Sequence, residues 1–373
     1  MGRQFYLDLA RAGHRMPIGL DLVLHEQPNP EAIVRDGQAL GQVVAETARR
    51  YRTPLAIARM DLQIEKTVLL VILGVPAAEA ALYHFPTDPG AAAVARLAAG
   101  LPPVNLALQA QIDAVGYIAA HTDLVPIGMT IGPFSLMTKL LKDPITPLYM
   151  AGSGITAEDD ADVALVERAL ELGLRVILYS VAAQIRAGAG AVFMAEPAAS
   201  VVYISPNQIQ AGSDIFERYV IAADRQVKAL LDRHGVDLIF HCCGELNEYM
   251  LRQFTTLDPV VLSLGSSRRL WEDAAVVPKH IVLYGNLPSK HFYSDAVITT
   301  EQVEAQACDL LYRMGRAGHP FILGSECDIL HVSGSGETIR KKVAAFLGCR
   351  CDGPRPIRRH GEGRGTEQDT PAQ

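Results

Sequence analysis

The segment Val236-Asp-Leu-Ile-Phe-His241-Cys242-Cys243-Gly244 ends an apolar run on an imidazole and two thiols. A short apolar run bounded by glycine predicts a buried strand. Residues two apart on a strand share a face, so His241 and Cys243 project together while Cys242 points the other way. A histidine and a cysteine aimed at one point make half of a zinc site. A second apolar run, Pro320-Phe-Ile-Leu-Gly324-Ser-Glu-Cys327, also closes on a cysteine. One histidine and two cysteines supply three protein ligands and leave one tetrahedral position open, which is the arrangement of a catalytic zinc. Ordinary buried cysteines are the competing reading, because free cysteine is among the most buried residue types. The expectation is one Zn²⁺ per chain, held by His241, Cys243 and Cys327. Cys242, Cys308, Cys349 and Cys351 are read as non-ligands.

Other polar residues also follow apolar runs. Asp61 follows 55–60, Glu196 follows 192–195, and Asn286 follows 281–285, a run that ends in Gly285. Each alone fits a loop or a helix cap better than a site. As a set they predict a polar pocket around the metal, with Asp61 and Glu196 in catalytic roles and Gly285 and Asn286 contacting a bound molecule. Ser333-Gly-Ser335-Gly-Glu337 leads into a helical segment. Its free N–H groups suit an anionic substrate group, and a plain N-cap by Ser335 is the alternative. No phosphate-binding Gly-x-x-x-x-Gly-Lys, zinc-protease His-Glu-x-x-His or nucleophile-elbow Gly-x-Ser-x-Gly occurs.

These side chains need elements that carry them to one place. Apolar runs at 54–60, 125–131, 191–195, 236–240, 259–264, 280–284 and 320–323 are the predicted strands. Helical periodicity occupies 31–50, 159–187, 214–234, 301–317 and 337–346. Buried runs alternating with helices predict parallel strands joined by crossover helices. Seven or eight such units in one domain predict an α/β fold of the (β/α)8 TIM-barrel type, whose active face lies at the C-terminal ends of the strands. A doubly wound sheet is the runner-up, but no strand is followed by Gly-x-Gly-x-x-Gly. Residues 1–350 read as one domain. Residues 351–373, rich in Gly, Pro, Arg and Glu, read as a disordered tail.

The formal charge of −7 leaves no basic field to attract nucleic acid. The run Pro354-Arg-Pro-Ile-Arg-Arg-His360 reads as a solvated patch in the tail. No secretory signal is visible, and no apolar run approaches the roughly 20 residues that a bilayer requires. The expectation is a cytoplasmic protein without membrane contact, in which six cysteines serve as thiols or metal ligands.

Taken in order, seven segments resemble landmarks of the uroporphyrinogen decarboxylase superfamily. They are Met60-Asp61-Leu-Gln-Ile-Glu65, Ile131-Gly-Pro-Phe-Ser135, Gln184-Ile-Arg-Ala-Gly188, Glu196-Pro-Ala-Ala-Ser200, His241-Cys-Cys243-Gly244, Gly285-Asn286-Leu-Pro288 and Cys327-Asp328. The likeness covers roughly residues 30–350 and is closest to the methylcobamide:coenzyme M methyltransferase branch. That branch holds zinc with a His-x-Cys pair and a late Cys, which His241, Cys243 and Cys327 match. The resemblance implies transfer of a methyl group from a methylated corrinoid, carried by a partner protein or free, to a small thiol activated by zinc. Asp61, Glu196 and Asn286 would then position the acceptor or the partner's cofactor. The decarboxylase branch needs no metal and binds a tetrapyrrole acid through an Asp that Asp61 would match. Its Arg-rich N-terminal motif is not reproduced by Ala10-Arg-Ala-Gly-His14-Arg15. A non-catalytic corrinoid- or zinc-binding protein is a third reading, and an open coordination position argues against a purely structural metal. The sequence leaves a homodimer open.

Overall fold

The computed structural model describes residues 1–98 and 106–351. Eight strands run β1 (Arg15–Ile18), β2 (Leu55–Ile57), β3 (Val125–Ile131), β4 (Ala191–Ala195), β5 (Asp237–Cys242), β6 (Val261–Leu264), β7 (Val282–Leu287) and β8 (Phe321–Asp328). All neighbouring pairs are parallel, in the order β1-β8-β7-β6-β5-β4-β3-β2. The sheet therefore curls into a TIM-type barrel with one seam. Among the described residues, β1 and β2 share no ladder.

Alternation along the strands builds two cores. Inward residues Met129, Phe193, Ile239, Val261, Val282, Tyr284 and Ile322 fill the barrel. Outward residues Val192, Leu238, Phe240, Cys242, Leu262, Leu264 and Leu283 pack beneath the helices. Both faces of these strands are buried, which is why they read as continuous apolar runs rather than alternating ones. Tyr284 takes an unusually large share of the interior. A Cβ at Gly324 on the neighbouring strand would collide with its ring, and its hydroxyl donates to Met16 O at 3.0 Å.

The expected helices form, with local differences. Ala161–Arg186 is continuous, and Asp160 caps it by accepting from the N–H groups of Asp162 and Val163. The segment 31–50 divides into Pro30–Ile33 and Gly37–Arg50, because Asp36 accepts from Ala39 N–H and starts a fresh helix. The segment 214–234 becomes a π-helical turn, Glu217–Ile221, running into Ala222–Arg233. Thr300–Ala317 opens with a reciprocal capping box between Thr299 and Gln302.

Strand bounds shift in ways that matter for the site. β2 stops at Ile57, so Asp61 lies in the turn beyond it. β5, β7 and β8 extend past their apolar runs and take in His241, Asn286 and Cys327. β1 was not expected. It is short and contains Pro17, which cannot donate to a ladder and is tolerated because β1 is an edge with only β8 as partner. Of the expected tail, Cys351 is bonded to Cys308, and residues 352–373 lie outside the described residues. Among the described residues no helix is long and apolar enough to cross a membrane.

Candidate metal centre

His241 lies on the inner face of β5, 1% exposed, with its ring tilted against Phe193 at 5.4 Å between centroids. Directly across the ladder is Ser263 of β6, whose Oγ lies 2.8 Å from Nδ1. The other ring nitrogen, Nε2, is buried without a hydrogen-bond partner. Such an orphan is costly inside a protein unless something binds it. Cys243 comes two residues later, on the same side, just past the end of β5. Cys327 is the penultimate residue of β8. The histidine nitrogen and the two sulfurs all lie within 4.8 Å of one another.

Cys327 reaches this point through an irregularity. Ile322 faces the barrel interior, so strict alternation sends Gly324 and Glu326 inward and Cys327 outward. Between Gly324 and Asp328, however, β8 uses four steps where β1 uses two, from Met16 to Ile18. This bulge re-aims the strand end, as bulges beside active sites commonly do. Close packing at the loop after β6 completes the geometry. A Cβ on Gly265 would stand 2.7 Å from Cys243 O, so only glycine fits.

The two thiols shift each other's acidity in opposite directions. A hydrogen bond from Cys327 is the main reason Cys243 is pushed down to about 3; burial opposes the shift and His241 assists it. Cys327 is correspondingly pushed up. Lys290, in the turn after β7, faces the same thiolate. Burial works against its charge, but Cys243 and Glu326 outweigh it and raise its pKa. Its Nζ is 4.0 Å from Glu326 Oε2. Glu326 also accepts from Ser266 N–H at 3.1 Å and Ser266 Oγ–H at 2.7 Å, so it ties β8 to the loop after β6.

The remaining expected residues take different places. Asp61 accepts from Arg59 Nη1 at 2.6 Å and from Gln63 N–H at 3.0 Å. Beyond Arg59 lies Asp328, next to Cys327, its carboxyl pushed up to about 8 by burial and by Asp21, with Arg59 opposing. Asp61, Arg59 and Asp328 thus form a polar arc on the β2–β8 side of the barrel mouth. Asn286 is buried, and its Nδ2 donates to Gly265 O and Arg268 O at 2.8 and 2.9 Å, bracing the loop beside Cys243. Gly285 supplies a backbone with φ of 126° just before it.

Glu196 is not brought to the centre. Ala195 before it faces inward, so Glu196 points out behind the sheet. There it is fully buried and accepts from Phe134 N–H, Ser135 N–H and Ser135 Oγ–H at 2.9, 2.8 and 2.6 Å, capping the helix Pro133–Leu140. Burial pushes it up to about 7. Ser333 is exposed, and Ser335 flanks the helix Gly336–Gly348 without capping it through its side chain.

Ser263 and Lys290 were missed at the sequence level. Ser263 was accessible to reasoning, since alternation along 261–264 turns it to the same face as Val261. Lys290 sits in a turn that no periodicity marks.

One imidazole nitrogen and two sulfurs fit a borderline-soft divalent ion such as zinc. Fold and site together define a (β/α)8 barrel with three candidate metal ligands at the C-terminal ends of its strands. The model of the uroporphyrinogen decarboxylase (URO-D) family matches residues 25–345, and the chain belongs to that family. Among solved structures, a methyltransferase from Methanosarcina mazei is similar at a TM-score of 0.63 and 16% identity, covering 92% of this chain and 98% of that one. A tryptophan synthase from M. tuberculosis aligns at a TM-score of 0.23 and 15% identity, over 59% of this chain and 90% of that one, too weakly to bear on the fold. Comparison with curated proteins gives no match.

Proposed function

We propose that this protein is a zinc-dependent methyltransferase of the cytoplasm. It moves a methyl group from a methylated corrinoid, free or carried by a partner protein, to a small thiol. The observation that carries the reading is the convergence of His241, Cys243 and Cys327 at the barrel mouth, with the buried Nε2 left without a partner. The likeness in fold to a methyltransferase supports it. Zinc bound there would supply the Lewis acidity that holds an acceptor thiol as its thiolate near neutral pH.

The protein's own groups prepare the reaction. Ser263 engages Nδ1 of His241 and leaves Nε2 as the nitrogen free to bind a metal. Asn286 braces the loop that packs on Cys243. Lys290 supplies a positive charge beside the thiolates. Asp61, with Arg59, offers a polar rim for the acceptor or the donor's cofactor, and the 333–335 turn is a further place for an anionic group. Glu196 acts at a distance, by fixing the helix after β3. Transfer forms a sulfur–carbon bond on the acceptor and breaks the cobalt–carbon bond of the donor, whose electron pair stays with cobalt. The thiol proton leaves to solvent.

The test is turnover of a methylated corrinoid with a small thiol. Methyl thioether should form, should stop on chelation, should return with zinc, and should collapse in Cys327→Ser. A metal-independent decarboxylase of a tetrapyrrole acid would instead release carbon dioxide without regard to chelator. Native activity that survives zinc removal overturns the proposal.

A further inference from the structure

At the opposite end of the barrel a second group of sulfurs converges. Cys308 lies in the helix Thr300–Ala317, and Cys349 and Cys351 follow the helix Gly336–Gly348. Their three sulfurs all lie within 4.8 Å of one another. Cys308 and Cys351 are joined as a disulfide, and the free Cys349 Sγ stands 3.7 Å from Cys351 Sγ. Two sulfurs on a tetrahedral zinc, each about 2.3 Å from the ion, lie roughly 3.8 Å apart. The Cys349–Cys351 pair already has that spacing.

Arg15 adds an independent indication. It opens β1 at the N-terminal end of the barrel, far along the strand from the mouth. Its Nη1 donates to Cys349 Sγ at 3.0 Å and to Cys349 O at 2.8 Å. Three thiolates on a divalent ion leave a net charge of −1, and a guanidinium fixed beside one sulfur offsets it. Cys349 is buried while Cys351 is exposed, so a reductant and an ion both have an entry path.

We propose that Cys308, Cys349 and Cys351 form a second site, for a thiophilic divalent ion such as zinc, that exists when the Cys308–Cys351 bond is reduced. Disulfide and metal are then two exclusive states of one cluster. A dithiol delivers two electrons and two protons to the bonded sulfurs and becomes a disulfide; a phosphine delivers the two electrons and becomes its oxide, with water supplying the oxygen and both protons. Binding of the ion then releases the thiol protons to solvent. The state of this cluster decides whether the chain after Gly348 is fastened to the Thr300–Ala317 helix by a covalent bond or by an ion.

The full-length Cys327→Ser protein, crippled at the mouth, separates this site from the other. Reduced anaerobically with a phosphine, loaded with Zn²⁺ and dialysed, it should retain one equivalent by elemental analysis. With Co²⁺ it should show thiolate-to-cobalt charge-transfer absorption. Oxidation with a two-electron thiol oxidant should expel the ion. Adding Cys349→Ser or Cys351→Ser should abolish retention, and Arg15→Gln should weaken binding about tenfold or more. Three outcomes overturn the proposal: no retained ion in reduced Cys327→Ser, retention unchanged by both added substitutions, or a Cys308–Cys351 bond that survives the phosphine in folded protein. None of these readouts depends on methyl transfer.

Discussion

Ser263 faces His241 across the β5–β6 ladder with its Oγ 2.8 Å from Nδ1, which leaves Nε2 as the buried ring nitrogen without a hydrogen-bond partner. With Nδ1–H donating to the hydroxyl, Nε2 presents its lone pair as a ligand. Ser263→Ala should therefore keep the fold and still bind zinc at saturation. Its zinc affinity should fall by about 10–100-fold, the usual cost of losing the group that orients a ligating histidine. Competition with a calibrated chelator measures this, and unchanged affinity would show that the hydroxyl has no part in aiming the ring.

Cys242 and Cys243 are neighbours with opposite fates. Cys242 packs in the outer core, near Ala199 O at 3.7 Å, while Cys243 joins the centre. Cys243→Ser should lose most of the bound zinc. Cys242→Ser should retain it and instead lose about 1–3 kcal/mol of stability, from placing a hydroxyl in an apolar layer. Equal zinc loss from the two variants would contradict the strand geometry.

Behind the sheet, Glu196 and Asp224 are both raised by burial, Glu196 to about 7. Neither Asp224 oxygen has a hydrogen-bond partner of good geometry. A carboxyl raised on folding contributes stability that is complete below its unfolded value and is lost as pH climbs through the folded one. The protein should therefore weaken as pH rises from about 4.5 through about 7, where Glu196 titrates. Asp224→Asn should flatten that slope and raise the melting temperature most at pH 8. An unchanged slope would mean that the pair does not titrate in this range.

Much of this arrangement was legible in the sequence, for identifiable reasons. Seven strands announced themselves because both faces are buried and their apolar runs are uninterrupted. The same period-two logic that paired His241 with Cys243 holds in the structure, with Cys242 turned to the outer core. Arg15-Met-Pro-Ile18 was illegible as a strand because a tetrapeptide with a charge and a proline carries no periodic signal. The arrival of Cys327 was legible only in outline, since the bulge that re-aims it depends on pairing with that unseen strand. Glu196 shows the limit of reading strand ends without parity. It follows an apolar run as Asn286 does, yet lies one step out of phase with the interior. The joining of Cys308 to Cys351 was invisible, because 43 residues separate them.

The unlaced seam between β1 and β2 sets an order of events during synthesis. Strands β2 to β7 each find a ladder partner soon after they leave the ribosome, because the next strand is also their neighbour. β1 does not. Among the described residues its ladder partner is β8, and Arg15 must wait for Leu323, about three hundred residues later in the chain. Until then the first strand is a loose end and the growing sheet is an open ribbon. β8 joins the two ends of the chain, since it pairs with both β7 and β1, its Ser325 Oγ accepts the Ile18 N–H, and its bulge turns Cys327 toward Cys243. The three candidate ligands are thus brought together only by the strand that also ties the first strand into the sheet.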